Sequence, residues 1–284
     1  MSKVAEIITE RILEQLEAGT VPWKKGWKGA GRPKNLLTGK AYRGTNIWLL
    51  SGSEYWATAK QVKQLGGSVK PDELSNPSIG VFFKPIFEEN EDTGERVVKR
   101  RILLYFKIFA LHQLDVPEKV LNKIHDGESV LDFSPIESAE KIVREMPNRP
   151  EIKHSSQDSA HYSIIFDHVH MPNKELFDSE LRYYEVLFHE LAHSTGAEKR
   201  LNRQLKGNTA GNRESYSKEE LIAEMASAML CGEAGIDEAS TIENSASYIE
   251  NWMKALKKDS TLLVSAAQNA QKAVDYILQT TFDN

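Results

Sequence analysis

The sequence predicts an α+β protein in two parts, a small α+β N-terminal domain and a mostly helical C-terminal one. Three observations predict it. Two strand-like apolar runs, residues 80–84 and 101–109, flank a polar stretch containing Thr93-Gly94, the pattern of a long hairpin. Helical periodicity runs almost unbroken from Ser179 onward. Charge is unevenly divided: residues 1–115 hold 18 Lys and Arg against 13 Asp and Glu, a net +5, whereas residues 116–284 hold 18 against 28, a net −10. Such an asymmetry points to two tasks on one chain. The 284 residues suffice for about two cores. An apolar share of 40% and a charged share of 27% exclude a disordered chain, a collagen and a disulfide scaffold. No run of apolar residues is long enough for a membrane span. Glu6, Glu10 and Glu14 recur through the opening residues, unlike a signal peptide. Cys231 is the only cysteine, so no internal disulfide forms, which suits a reducing cytoplasm.

The first segment places Val4, Ile7, Ile8, Ile12, Leu13 and Leu16 at helical spacing, an amphipathic helix of about four turns. Gly19 and Pro22 stop it. Pro33-Lys34-Asn35 and Thr38-Gly39-Lys40 read as loop and turn, and an apolar run resumes at 46–50. Residues 58–65 form a short helix with Gly66-Gly67 as its stop. The hairpin completes a domain over 1–115. Residues 112–133 carry Pro117 and little periodicity, so a linker is expected at 116–133. A helix at 136–145 opens the second domain, 134–284. Strands are expected at 162–166 and 169–172, then helices. No internal repeat or low-complexity segment interrupts this order.

The sharpest chemical signal is His189-Glu190-Leu191-Ala192-His193. On a helix, positions i and i+4 share a face, so two imidazoles reach one cation. Glu190 stands beside the first imidazole and can take a proton from a metal-activated water. Tyr183, Tyr184, Leu187, Leu191 and Ala192 supply the apolar positions of that helix, and Ser194-Thr195-Gly196 ends it. A catalytic zinc takes three protein ligands and keeps a fourth position for water. His193 is the last histidine, so the third ligand is a carboxylate or lies upstream. Residues 217–230 form a second helix, whose Ala223, Ala226 and Ser227 permit close packing against the first. Glu220 and Glu224 lie one turn apart on it. The pattern Glu220-x-x-x-Glu224 resembles the E-x-x-x-D of gluzincin metallopeptidases. That resemblance implies Glu220 as the third ligand and Glu224 as the acid that orients a ligand histidine, with the reverse assignment as the alternative. Zn2+ is the expected ion, and Mn2+ or Co2+ suit the same donors. His168 and His170 are read as structural or substrate-facing, with metal ligation as the alternative. Tyr216 is read as an aromatic packing at a helix entrance, with oxyanion stabilisation as the alternative. Asp167 and Arg200 are polar neighbours of the motif with no assigned role.

A second signal lies near the start. Residues 20–53 contain no acid but hold Lys24, Lys25, Lys28, Arg32, Lys34, Lys40 and Arg43. Interleaved with them are Trp23, Trp27, Tyr42 and Trp48, with Trp56 just after. Cations that track phosphates and rings that stack on bases are the chemistry of single-strand binding. Stacking tolerates any base, so strandedness rather than sequence is the expected preference. At least two of these tryptophans are expected in the core, because a small domain needs them there.

Both halves resemble one family. Val21-Pro22-Trp23-Lys24-Lys25-Gly26-Trp27, Pro33-Lys34-Asn35 and Thr38-Gly39-Lys40-Ala41-Tyr42-Arg43-Gly44-Thr45-Asn46 are similar to the single-stranded-DNA-binding domain of ArdC-type antirestriction proteins. Thr58-Ala59-Lys60-Gln61, Gly66-Gly67, Phe106-Lys107-Ile108-Phe109 and Gln113 continue the likeness. Tyr162, Asp167, Met171-Pro172, Tyr183-Tyr184, the run from His189 to Gly196, Arg200-Leu201-Asn202-Arg203 and the acids from Glu219 to Glu224 look like the family's zincin-like metallopeptidase domain. The likeness departs at Ser194, where the family often has Trp, and at Gly26, where it often has Pro.

The resemblance implies a cytoplasmic protein carried by mobile elements that shields incoming DNA from host restriction enzymes. Its partners would be single-stranded DNA and a host protein substrate, with no membrane. A related N-terminal domain occurs in plasmid primases of the TraC type, so that domain alone does not fix the function. Two alternatives stay open: a non-enzymatic single-strand binder with a structural metal site, and a replication or primase accessory. Against the latter, no polymerase-type acidic cluster accompanies the basic segment.

Overall fold

A computed structural model of the chain describes residues 3–19, 21–22, 32–50, 52–89, 95–127, 135–205, 213–236 and 245–280. The chain divides into two compact units, one of residues 1–10 and 29–130, the other of residues 11–28 and 131–284. Among the described residues no helix is long and apolar enough to cross a membrane. Helix α1 (Lys3–Glu17) buries Ala5, Ile8, Ile12 and Leu16, the stripe its spacing predicts.

The first unit is built on a four-stranded sheet. Its strands are β1 (Lys34–Asn35), β2 (Tyr55–Ala57), β4 (Ser78–Glu89) and β5 (Arg96–Ala110), in the order β1-β2-β5-β4. β1 and β2 run parallel, and the other pairs antiparallel. Two short strands, β3 (Ser68–Val69) and β6 (Leu114–Asp115), pair separately. Helix α2 (Asn46–Leu49) buries Ile47 and Trp48. Leu50, Trp56, Ile108 and Ala110 form one core cluster, and Ala57, Val62, Val69, Phe109 and Leu114 another. Trp48 and Trp56 are thus the two core tryptophans the sequence leads one to expect.

Helix α3 (Ala59–Gln64) is only six residues long, and a capping box holds its start. The Thr58 backbone N–H donates to Gln61 Oε1 at 2.8 Å, and Gln61 N–H donates to Thr58 Oγ1 at 3.3 Å. Gly66, at φ +83°, lets the chain turn back where a side chain would be strained. Both hairpin strands extend well past the apolar runs that announce them. Within the stretch expected as a linker at 116–133, α4 (Glu118–Gly127) is helical, and residues 116–130 group with the first unit. Val120 and Ile124 sit four apart there, and Val120 is buried, so a short apolar stripe suffices for a helix.

The second unit places a three-stranded sheet against helices. Helix α5 (Pro135–Glu145) opens it, followed by β7 (Glu151–Ser155), β8 (His161–Ser163) and β9 (His168–Pro172), in the order β7-β9-β8. β7 runs parallel to β9, and β8 antiparallel. Val169 and Met171 are fully buried, while His168 and His170 alternate onto the other face. The strand expected over 162–166 ends at Ser163, because the chain turns at Asp167 (φ +47°) and leaves Ile165 and Phe166 exposed.

Four helices complete the unit: α6 (Glu180–Ser194), α7 (Arg213–Ala234), α8 (Ser245–Lys258) and α9 (Leu262–Leu278). Leu187, Phe188, Leu191, Leu221, Met225 and Leu230 are buried on α6 and α7. The small face predicted on α7 lies inside: Ala223, Ala226 and Ser227 are buried, and Ser227 Oγ donates to the Glu185 carbonyl of α6 at 2.8 Å. That bond is available only because no large side chain separates the two helices.

Candidate metal centre

The H-E-x-x-H segment occupies the last turns of α6. Ser179 caps the helix, its Oγ accepting from Arg182 N–H at 3.1 Å, and Thr195 is the C-cap. His193 lies in the last turn, where the helix dipole favours positive charge. The Nε2 atoms of His189 and His193 are 3.0 Å apart. Glu220, from α7, brings Oε2 to 3.5 Å from His189 Nε2 and Oε1 to 3.5 Å from His193 Nε2. One ligand atom from each of the three residues lies within 4.8 Å of the other two, a separation one ion can bridge. Among the described residues this is the sole such group of three or more His, Cys, Asp or Glu side chains. Two imidazoles and a carboxylate are the donor set of a divalent metal with an open position.

Carboxylates surround the outer sides of both rings. Glu224 Oε1 is 3.9 Å from His189 Nδ1, and Glu219 Oε1 is 3.4 Å from His193 Nδ1. Burial opposes charge on His189, but Glu220, Glu224 and Glu190 outweigh it and push its pKa up to about 9. Burial likewise raises the Glu219 carboxyl, yet His193 and Arg203 outweigh that and hold it below its ordinary value. Glu190 is buried on α6. The side chain of Tyr216 lies outside the described residues.

Two arginines that follow α6 brace this arrangement. Arg203 donates to Glu219 through Nε at 3.2 Å and Nη2 at 2.5 Å, to Thr195 Oγ1 at 2.6 Å and to the Ala192 carbonyl at 2.9 Å. It therefore ties the end of α6 to the start of α7, where the candidate ligands meet. Arg200 donates to the Ser194 carbonyl at 2.6 Å, to the Tyr162 hydroxyl at 3.0 Å and to the Asp167 carboxylate. Lys199 also pairs with Asp167, and the Tyr162 hydroxyl donates to Asp167 at 2.6 Å. Burial and the bond to Asp167 push the Tyr162 phenol up to about 12. The roles missing for Asp167 and Arg200 are thus structural: they pin the β8–β9 turn to the end of the histidine helix.

The tyrosine pair is structural as well. Tyr183 shares a 2.9 Å hydrogen bond with His154 Nε2 of β7, Tyr184 donates to Glu140 of α5, and Lys174 lies 4.9 Å from the Tyr183 ring centroid. In the sequence Arg203 and Glu219 stand only within the stretches 200–203 and 219–224 that resemble the family's, with no role attached to either.

Of the candidate nucleic-acid residues, Trp23, Lys24, Lys25, Trp27 and Lys28 lie outside the described residues. Lys40 is exposed, and Arg32, Tyr42 and Arg43 are half-buried. Lys34 is not a free cation: its Nζ stands 2.6 Å from Glu54 Oε1 and 5.8 Å from the Tyr55 ring centroid. Tyr42 accepts from Asn35 Nδ2 at 3.0 Å, and burial raises its phenol despite that bond.

Comparison with known proteins matches two successive stretches of the chain. Residues 2–111 match the N-terminal domain of the anti-restriction factor ArdC, and residues 137–269 match a zincin-like metallopeptidase domain. The metal-free crystal structure of the antirestriction protein ArdC from plasmid R388 is 34% identical, with a TM-score of 0.75, covering 98% of this chain and 97% of that one. Its Mn(II)-bound form is similar at 32% identity, a TM-score of 0.76 and the same coverage. A DNA primase TraC of Escherichia coli is 32% identical over 96% of this chain, and the chain spans 27% of that protein's length. An uncharacterized protein, y4eC of Sinorhizobium fredii, is 28% identical over 96% of this chain and 91% of its own length.

Proposed function

The chain belongs to the family of ArdC antirestriction proteins, and from that membership we propose that it protects DNA entering a host cell on a mobile element such as a plasmid. It does so with a unit that binds single-stranded DNA and a unit that carries a metal-dependent peptidase site. The observation that carries the second part is the meeting of His189, His193 and Glu220 within 4.8 Å. Glu220 is the third ligand, since its two oxygens stand 3.5 Å from the two Nε2 atoms that face it. Zn2+ is the ion these donors suit best; the Mn(II) bound by the R388 protein supports a divalent ion at such a site, and Co2+ would fit the same donors.

A bound ion supplies a Lewis acid that polarises a peptide carbonyl and a water. The residues do the rest. Glu219 faces His193 Nδ1 at 3.4 Å and the Glu224 charge faces His189 Nδ1 at 3.9 Å, which favours both rings with Nε2 toward Glu220. Glu190 accepts the proton of the attacking water and returns it to the leaving amine. The substrate is a host protein, and the compartment is the reducing cytoplasm, which fits a single, buried Cys231. Trp23, Lys24, Lys25, Trp27, Lys28, Arg32, Lys34, Lys40, Tyr42 and Arg43 form the basic and aromatic set for single-stranded DNA.

The similar span within an E. coli DNA primase supports action on nucleic acid, and a second reading rests on that alone. There the ion only stabilises the helical unit, and the chain acts by coating DNA. Glu190→Ala separates the two, because it removes the proton acceptor and spares the ligands. Loss of DNA protection in cells, with metal content unchanged, supports the peptidase. Full protection by that variant refutes it.

A further inference from the structure

We propose that one face of the β4–β5 ribbon, carrying Phe82, Lys84, Arg100 and Phe106, is the track along which single-stranded nucleic acid lies. This rests on reading the first unit as a single-strand binder, and it names a surface outside the basic segment 20–53. Residues opposite one another across an antiparallel pair share a face. Gly80 and Phe106, Phe82 and Leu104, Lys84 and Ile102, and Ile86 and Arg100 are such pairs, so they line one side in succession. Tyr105, Lys107 and Arg101 fall on the opposite side.

At its inner end the first side continues from the core. Tyr42 and Phe106 both pack against the cluster of Leu50, Trp56, Ile108 and Ala110. Tyr42 belongs to the basic aromatic segment, so the ribbon face and that segment meet at one cluster. Farther out the side chains reach solvent: Phe82 is 45% exposed, and Lys84 and Arg100 are exposed. A Cβ on Gly80 would stand 2.4 Å from Phe106 Cζ, so the Phe106 ring lies over the bare backbone of β4. The Phe82 ring is 6.0 Å from it, tilted by 53°. The Phe106 ring is therefore held in place before any ligand arrives, with the exposed Phe82 ring beside it.

The cations on this side are also free to act. Lys99 is paired with Glu88 at 2.6 Å, and Arg96 lies 4.8 Å from the Phe87 ring centroid. Lys84, Arg100, Arg101 and Lys107 have no carboxylate partner among the described residues. Spacing decides what such a face takes. Residues two apart on a strand are about 6.8 Å apart, about twice the 3.4 Å rise per nucleotide of a duplex strand. Bases that follow this ladder must separate from one another and stack on phenyl rings instead, which a single strand does readily and a duplex does not.

The test is fluorescence anisotropy of the full chain with a labelled oligothymidylate, titrated with salt. Phe82→Ala weakens binding about tenfold. Lys84→Ala with Arg100→Ala reduces the salt slope by about 1.4, since each phosphate contact on a single strand contributes about 0.7. Arg101→Ala with Lys107→Ala removes the same charge from the opposite side and leaves the slope unchanged. Equal effects from the two sides, or none from the first, overturn the track. If Lys24→Ala with Lys25→Ala loses binding while the Lys84 and Arg100 pair does not, the track fails and the single-strand reading stands. If the unaltered chain ignores oligothymidylate or prefers duplex, that reading fails with it.

Discussion

Glu219→Gln tests the brace around the candidate ligands with almost no change of shape. In the structure the Glu219 carboxylate receives two bonds from Arg203, at 3.2 and 2.5 Å, and stands 3.4 Å from His193 Nδ1. Arg203 is 8% exposed and Glu219 18%, so solvent replaces little of what is lost. A neutral amide still accepts one bond but weakens the charge-assisted pair, and it leaves a mostly buried guanidinium without its counter-ion. The expected cost is about 2 kcal/mol of folding stability. For a unit of this size that is a fall in Tm of about 4–8 °C. The imidazole also loses the carboxylate that orients it, and removal of such a partner typically weakens metal binding about 10- to 100-fold. Calorimetric unfolding gives the first quantity, and competition with a chromophoric zinc chelator gives the second. Unchanged zinc affinity would refute the idea that Glu219 positions His193, whatever happens to Tm. Unchanged affinity and Tm together would refute the brace.

Three further outcomes follow from other parts of the molecule. Asp167 is buried enough to raise its carboxyl, but Arg200, Lys199 and Tyr162 outweigh this and hold it well below the usual range. Its stabilising contribution is therefore complete above the ordinary carboxylate pKa of about 4 and falls away as the pH drops below that; Tm against pH for Asp167→Asn should lose this acid-side slope, and two parallel curves would contradict it. Gly80→Ala should cost about 1–3 kcal/mol in a thermal or urea melt, because a methyl group 2.4 Å from Phe106 Cζ must displace the ring; an unchanged melt would show that the ring does not lie there. Lys24→Ala with Lys25→Ala should lower the salt slope of single-strand binding by about 1.4, and an unchanged slope would show that those lysines do not meet phosphates.

The parts of the fold that the sequence foretells are those fixed by short-range patterns. The apolar stripe of α1, the glycine stop of α3, the hairpin and the histidine helix each depend on residues a few positions apart. β7 escapes such reading. Glu151–Ser155 has one strong apolar residue, Ile152, and becomes a strand only because β9, some seventeen positions on, pairs beside it. The β8 strand is overpredicted for a related reason. Ile164, Ile165 and Phe166 favour extended structure, but Arg200 holds Asp167 in a turn and overrides them. At the candidate site, the two histidines are legible from their spacing, and Glu220 and Glu224 from their likeness to the gluzincin E-x-x-x-D pattern. Glu219 and Arg203 appear only within stretches that resemble the family's, and their pairing is not legible, since it is a contact across sixteen positions.

The central claim is that His189, His193 and Glu220 share one divalent ion, and anomalous diffraction from crystals soaked in zinc tests it most directly. The account predicts one strong anomalous peak, about 2.0–2.2 Å from both Nε2 atoms and from a Glu220 oxygen, absent in His189→Ala. A protein that takes up zinc with the peak elsewhere, or that shows the same peak without His189, would contradict it.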